Sequence, residues 1–428
     1  MEDDRAGWAI GCASNDGLET HFLESDRCTL ALDGSFFQRQ NPVRFAHRRL
    51  AKCTTHEAVS DLMSEPGECA MLGRIRSKMF AFRDPNGLKP LYYAERRSLV
   101  AFASERKALW AMGLRDVKRI PPGHLLSISN RGIGRTPLYR FKNSQEIPMT
   151  FEAARSYLTR YLKRSVRRIT RTIDKAAVAF SGGLDSAVTA ALAKGDCEVE
   201  LVSVGLTGAS ELSTVEKYAR EIDLPVSIEQ FDPDSLEEYV RRVVWLIEEP
   251  NLMKVSVAVP LHWAARVAAR RGFTVMLCGQ GSDELYGGYY KYAKILDTEG
   301  RRALVEALYQ SVVDASQVNY ERDEQATAPF GVELRTPYAD LDLIRFSLTI
   351  PSEYKVRPGN DVTRKWVLRS VAEGLGLSPE IAGRRKKAIQ HGTGVENAIR
   401  KLAKRRSLTV ESYLERIHAE VKELESMP

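Results

Sequence analysis

The chain has 428 residues, of which 43% are hydrophobic and 28% charged, and its net charge is +7. This composition is globular rather than disordered, and the length suits two domains better than one. No apolar run is long enough to span a bilayer and the start Met1-Glu2-Asp3-Asp4-Arg5 has no secretory apolar region, so a cytoplasmic protein is expected. In chain order, short strand-like runs come first, at residues 30–34, 78–82, 90–93, 99–102 and 124–128, separated by turns. They predict a β-rich, mainly antiparallel first domain over residues 1–145. A polar stretch around Asn143 to Phe151 marks the boundary, and a second domain spans 150–428. There a basic amphipathic helix at 152–171 precedes alternating elements. Strands are expected at 175–180, 199–206, 225–231 and 273–278, with helices from 187 and at 211–222, 236–248 and 257–270. That alternation predicts a doubly wound parallel sheet covered on both faces, and the chain beyond Arg301 reads as mainly helical.

Cys12, Cys28, Cys53, Cys69, Cys197 and Cys278 form no C-x-x-C pair and read as reduced, mostly buried thiols. Basic residues are dense at 384–387 and 400–406. The second stretch reads as a solvated helix face. The charge permits nucleic-acid contact without requiring it.

Two glycine-rich acidic turns carry the chemistry. Ser181-Gly182-Gly183-Leu184-Asp185-Ser186 joins a buried strand to a helix. Glycines let the backbone approach a ligand, the helix N-terminus offers free N–H groups to an anion, and Asp185 can hold a divalent cation on a phosphate. A Walker loop would carry a lysine that is missing here. The turn resembles the pyrophosphate loop of enzymes that split ATP into AMP and pyrophosphate. The second turn, Gly279-Gln280-Gly281-Ser282-Asp283-Glu284, follows another strand. Ligands of open parallel sheets bind beyond the strand carboxyl ends, at the switch point. If the two strands flank that point, Asp185 and Asp283 can share Mg²⁺ on one triphosphate. Val204, at the end of a further strand, would pack on adenine. A basic, glycine-rich cluster at 383–394 could neutralise the departing pyrophosphate.

These blocks together resemble the asparagine synthetase family of the glutamine-dependent type, in order over nearly the whole chain. Gly279 to Tyr289 is similar to its G-E-G-S-D-E-x-F-G-G-Y loop, and Gly331-Val-Glu-Leu-Arg-Thr-Pro-Tyr338 to its G-V-E-x-R-x-P-F segment. Lys365-Trp-Val-Leu-Arg369 and Arg385-Lys386 match its C-terminal blocks. The resemblance implies an ATP pyrophosphatase domain that adenylates a carboxylate and then forms an amide. In it Lys386 would stabilise the adenylation transition state and Asp185 and Asp283 would ligate Mg²⁺. Ser181, Gly182, Gly183, Leu184, Asp185 and Ser186 would bind ATP phosphates, with Val204, Cys278 and Gly279 around the adenine.

Phe82-Arg-Asp-Pro-Asn-Gly-Leu-Lys-Pro-Leu-Tyr-Tyr93 is similar to the R-D-P-L-G-I-K-P-L-Y-Y run of the family's glutaminase domain. The implied fold is an N-terminal nucleophile αββα sandwich. Its nucleophile would be a cysteine at position two, where Glu2 stands; Cys12 is the nearest thiol but lies outside the motif's context. Asp33-Gly34-Ser35 replaces the N-G-E glutamine triplet, and Thr55-His56 stands near the place of S-D. A degenerate glutaminase without a nucleophile is therefore expected. Gln280 replaces the family's glutamate that assists deprotonation of ammonia, and a neutral amide cannot act as a base. The leading expectation is aspartate amidation with ammonia, using ATP and Mg²⁺. The alternatives are a β-lactam synthetase-like or peptide-modifying ligase for another carboxylate and amine, an RNA-adenylating enzyme, and a non-catalytic nucleotide binder. The resemblance suggests a homodimer.

Overall fold

A computed structural model describes residues 10, 20–97, 99–129, 132–143, 145–209, 212–386 and 389–424. Glu2, Cys12 and Lys387 lie outside the described residues. Two compact units divide at Arg140 and Phe141.

The first unit holds a six-stranded sheet in the order β1-β2-β3-β4-β8-β9 and a three-stranded sheet in the order β6-β5-β7. Its strands are β1 (Thr20–Glu24), β2 (Cys28–Phe36), β3 (Gly67–Ile75), β4 (Lys78–Arg83), β5 (Tyr92–Arg96), β6 (Leu99–Ala103), β7 (Lys118–Arg119), β8 (His124–Ser129) and β9 (Gly132–Pro137). Every pairing is antiparallel. Alternation along β3 builds the layers, since successive side chains point to opposite faces. Cys69 and Met71 join Leu30, Leu32, Phe80 and Phe82 beneath α1 (Pro42–Leu50) and α2 (Thr55–Leu62). Ala70, with Ala81 and Leu126, instead meets Leu91, Tyr93 and Ile120 of the second sheet region. The outer face of that sheet packs Tyr92, Ala94 and Ala101 on Leu109 of α3 (Arg106–Ala111). The result is the expected αββα sandwich, with one short helix as its last layer. The individual elements β1, β3, β7, β9, α1, α2 and α3 are not legible in the sequence pattern.

The second unit is built on a parallel sheet ordered β12-β11-β10-β13-β14. Its strands are β10 (Lys175–Ala179), β11 (Glu198–Leu206), β12 (Val226–Phe231), β13 (Val275–Leu277) and β14 (Glu333–Arg335). The helices α4 (Phe151–Thr170), α5 (Leu184–Ala193), α6 (Leu212–Ile222), α7 (Leu236–Ile247) and α8 (Leu252–Arg270) cover it. Val240, Val244, Val259 and Trp263 of α7 and α8 close one face over Ala177, Val202 and Met276. Beyond Arg301 the chain is mainly helical, as expected, with one strand among the helices: β14 joins the edge of the sheet within the 331–338 segment. A difference lies at the first turn, where α5 begins at Leu184, so Asp185 and Ser186 sit in the helix rather than in a loop. Among the described residues no helix is long and apolar enough to cross a membrane.

Candidate active site

β11 and β13 lie on opposite sides of β10, so the direction of strand addition reverses between β10 and β13. Both acidic turns leave from that point. α5 opens on Gly183, which has no side chain to cap the helix, and its first N–H groups stay available to an anion. Ser181 Oγ accepts from the Gly183 amide at 3.3 Å, and Ser186 Oγ donates to the Gly183 carbonyl at 3.1 Å. The second turn forms α9 (Ser282–Tyr286), a short helix between Gly281 and Gly287, whose φ values are 93° and 72°. Side chains adopt that left-handed backbone rarely, so both glycines follow from the turn itself.

The two carboxylates converge on one ammonium. Lys365 Nζ lies 2.6 Å from Asp185 Oδ1 and 2.6 Å from Asp283 Oδ1, and 3.2 Å from Ser282 Oγ. Ser282 Oγ also donates to Asp185 Oδ1 at 2.8 Å. Lys386 Nζ approaches the opposite oxygens, Asp283 Oδ2 at 2.6 Å and Asp185 Oδ2 at 3.8 Å. Two acids and two bases thus form one neutral quartet, in which Lys365 is buried and the other three are half-buried. Burial pushes the Asp283 carboxyl up, but Lys365 and Lys386 outweigh it and hold it well below the carboxylate range. Burial conversely lowers Lys386, and the Asp283 and Asp185 charges reverse that and raise it.

Packing enforces this convergence. A Cβ at Gly288 would stand 1.8 Å from Asp283 Oδ1 and 2.2 Å from Lys365 Cε, so only glycine leaves room for the pair. A Cβ at Gly279 would meet the Asp185 Cβ at 2.7 Å. Arg369 spends its guanidinium on the backbone carbonyls of Thr363, Arg364, Ala382 and Arg384. It thereby ties the strand of chain carrying Lys386 to the start of the helix Trp366–Gly374 behind Lys365. Arg384 Nη1 adds a bond of 2.8 Å to the Gly182 carbonyl.

Of these groups Asp185, Gly279, Asp283 and Lys386 line a cavity of about 450 Å³, together with Ser181, Ser186, Cys278 and Gln280; Lys365 is not in its lining. Val204 does not line it. Val204 belongs to an adjoining apolar recess of about 40 Å³ with Phe180, Val202 and Ile389. Gly182, Gly183 and Leu184 lie outside both linings, Leu184 being buried. Gln280 is fixed by its backbone, whose carbonyl accepts from Thr336 Oγ1 at 2.5 Å. Arg385 is exposed.

The other end of the cavity was not legible beforehand. A π-helix, Ser316–Tyr320, interrupts the run from helix Arg301–Ala315 to helix Glu321–Thr327 and brings Val318 and Asn319 to the wall. Glu284 Oε1 accepts from Tyr289 at 2.5 Å and from Asn319 at 2.6 Å. Burial and the adjacent Asp283 charge push its pKa up. Arg322 and Asp323, 3% and 1% exposed, follow one turn later. Burial raises the Asp323 carboxyl against the pull of Arg322 and the Gln280 amide.

The donor set suits Mg²⁺ carried by a nucleotide. Asp185 and Asp283 offer hard oxygens to one point, and among the described residues no group of three acidic, histidine or cysteine side chains forms a self-sufficient metal cage. Mg²⁺ is commonly bound in this way, by one or two carboxylates plus substrate phosphates.

A family model described as "Asparagine synthase" matches residues 158–303 and 296–418, and one described as "Glutamine amidotransferase domain" matches 67–111. A protein of Methanocaldococcus jannaschii named "Putative asparagine synthetase [glutamine-hydrolyzing] 1" is 35% identical over 76% of this chain and 68% of its own length. "Asparagine synthetase [glutamine-hydrolyzing] 2" of Arabidopsis thaliana is 27% identical over 74% of this chain and 57% of its own. The aligned part therefore spans little more than half of the plant relative. Among solved structures, NMN synthetase from Francisella tularensis aligns with a TM-score of 0.32 at 9% identity, over 65% of this chain and 94% of that one.

Proposed function

This chain belongs to the asparagine synthase family of ATP-dependent carbon–nitrogen ligases, and from that premise we propose that it adenylates the side-chain carboxylate of aspartate and converts it to an amide with ammonia. The observation that carries the reading is the meeting of Asp185 and Asp283 on Lys365 Nζ, each at 2.6 Å, beyond the ends of adjacent parallel strands.

The residues divide the work as follows. Asp185 and Asp283 would hold Mg²⁺, which supplies charge neutralisation on the triphosphate. The uncapped start of α5 and the hydroxyls of Ser181 and Ser186 donate to phosphate oxygens. With the nucleotide bound, Lys365 and Lys386 exchange their carboxylate partners for phosphate oxygens and neutralise the charge that builds on departing pyrophosphate. The substrate carboxylate attacks the α-phosphorus, the bond to the β,γ-phosphates breaks, and an acyl-adenylate and pyrophosphate result. Nitrogen then attacks the acyl carbon and AMP leaves. The recess at Val204 is mainly apolar and would take the adenine edge.

Ammonia rather than glutamine is proposed as donor because the first unit spends its polar groups on structure. Thr54 and Glu57 form a capping box on α2, next to Thr55 and His56. Asp33, Gly34 and Ser35 lie within β2, paired with Ala70, Cys69 and Glu68 of β3, and a Cβ at Gly34 would stand 2.1 Å from the Glu68 carbonyl.

The test is pyrophosphate release by the purified protein with ATP, Mg²⁺ and a panel of acids. Aspartate-dependent release and asparagine formed with ammonium are expected. Release that needs another acid moves the substrate, release that needs RNA rejects the ligase reading, and glutamate accumulating with glutamine restores the first unit as an enzyme.

A further inference from the structure

Amide formation needs a group to take a proton from the attacking nitrogen, and residue 280 is an amide that cannot do so. Five carboxyl groups line the cavity: Asp185, Asp283, Glu284, Asp314 and Asp323. Asp185 and Asp283 are engaged by Lys365 and Lys386 and face the phosphates. Glu284 Oε1 already accepts two hydrogen bonds from the wall. Asp314 is exposed at the rim, where Gln310 Nε2 donates to it at 2.9 Å. Asp323 shares with Glu284 a buried carboxyl oxygen that has no partner among the described residues, and of the two it is Asp323 that has the Gln280 amide beside it. Arg322 Nε donates to its Oδ1 at 2.7 Å, and Nη2 lies 2.7 Å from that same oxygen. Its Oδ2 has no partner among the described residues, although the side chain is 1% exposed and the Gln280 amide lies beside it. A buried, half-satisfied carboxylate is costly to keep, so such an oxygen in a substrate cavity asks for a ligand proton.

We propose that Asp323 is the base for the nitrogen nucleophile, standing in for the carboxylate that position 280 does not supply. This rests on the adenylating function proposed above. As the nitrogen–carbon bond forms, a proton passes from nitrogen to Asp323 Oδ2. The acyl carbon–oxygen bond to phosphate breaks, and its electron pair leaves with AMP. Arg322 keeps Oδ1 occupied, so that Oδ2 faces the nitrogen, and the Gln280 amide orients the acyl group or the amine without taking the proton. The proton leaves to solvent with the products.

The experiment separates the two halves of the reaction in the full chain. Acid-dependent exchange of labelled pyrophosphate into ATP reports adenylation, and amide formation with ammonium reports the second step. Asp323→Asn is expected to keep exchange within about threefold and to lose amide formation by about a hundredfold or more, the range of general-base contributions. Hydroxylamine, a far weaker base that loses its proton readily, should still give hydroxamate with this variant. Gln280→Glu in the Asp323→Asn background should regain amide formation at least about tenfold. Amide formation at the wild-type rate in Asp323→Asn overturns the proposal. So does equal loss of exchange, amide and hydroxamate in folded protein, which is what a purely structural aspartate would give. If Asp323→Asn does not fold, Asp323→Ser is read in the same way. Wild-type protein with no acid-dependent exchange refutes the function itself, a failure distinct from that of Asp323.

Discussion

The two units use buried charge in opposite ways. In the first, each buried ion is absorbed by the fold. Arg83 sends Nε to the Lys89 carbonyl at 2.8 Å, Nη1 to Ile120 at 3.0 Å and Nη2 to Gly87 at 2.6 Å. Asp84 accepts the amides of Asn86, Leu88 and Lys89. Glu68 and Lys89 pair at 3.6 Å. In the second unit the charges converge at the strand ends and compete for one another, with Lys365 held by two acids at once. A motif such as Arg83-Asp84-Pro85-Asn86-Gly87 is therefore a loop clamp, whereas Asp185 and Asp283 form a site whose partners can be exchanged for those of a ligand. Charge that is saturated by backbone makes structure; charge paired with other side chains at the mouth of a cavity can exchange those partners for a ligand's.

The contrast predicts unequal responses to similar substitutions. Asp283→Asn should lower pyrophosphate release by about a thousandfold or more, equivalent to roughly 4 kcal/mol of transition-state stabilisation. Gly288→Ala should do nearly the same without removing a charge, because its methyl would occupy the space of the Asp283 carboxyl. Rates within tenfold of wild type for both would erase the distinction. Glu68→Ala should instead cost the first unit about 3 kcal/mol of stability by removing the acid that pairs with the buried Lys89, while acid-dependent exchange below the melting temperature changes less than about twofold. Thermal melts and exchange rates measured together decide this.

A pH titration sharpens the comparison within the second unit. His262 is buried, with Nδ1 placed 2.8 Å from the Ala326 carbonyl, and burial holds its pKa down at about 4 rather than 6.5. Between these values the unfolded chain binds the proton and the folded one does not. Stability is thus full above pH 6.5 and falls on acidification toward pH 4, by up to about 3 kcal/mol. Urea melts across that range should show the slope, and His262→Asn should flatten it. The smallest effect expected is Thr54→Ala, which removes the cap of α2 for about 1 kcal/mol and leaves turnover unchanged.

The parts of this arrangement differ in how far they could be read beforehand. Asp185, Asp283 and their glycines sit in contiguous turns between a strand and a helix, and steric need alone announces them. Lys365 could be matched to a family block, but its reach to Asp185 depends on a left-handed backbone, φ 56°, which pattern does not reveal in a lysine. Asp323 lies in Glu321-Arg322-Asp323-Glu324, which on composition is a solvated helix face; only the preceding π-turn makes it buried. β3 was hidden because Glu68 and Arg74 break its apolar alternation, and Glu68 is inside because Lys89 meets it there. β14 has three residues, too few for any period to show.

The central claim is that the Asp185–Asp283 site cleaves ATP between its α- and β-phosphorus atoms. Chromatography of the nucleotide products from ATP, Mg²⁺, aspartate and ammonium tests it directly. AMP and pyrophosphate in equal amounts, matched by the amide formed, are predicted; ADP with inorganic phosphate would contradict the account.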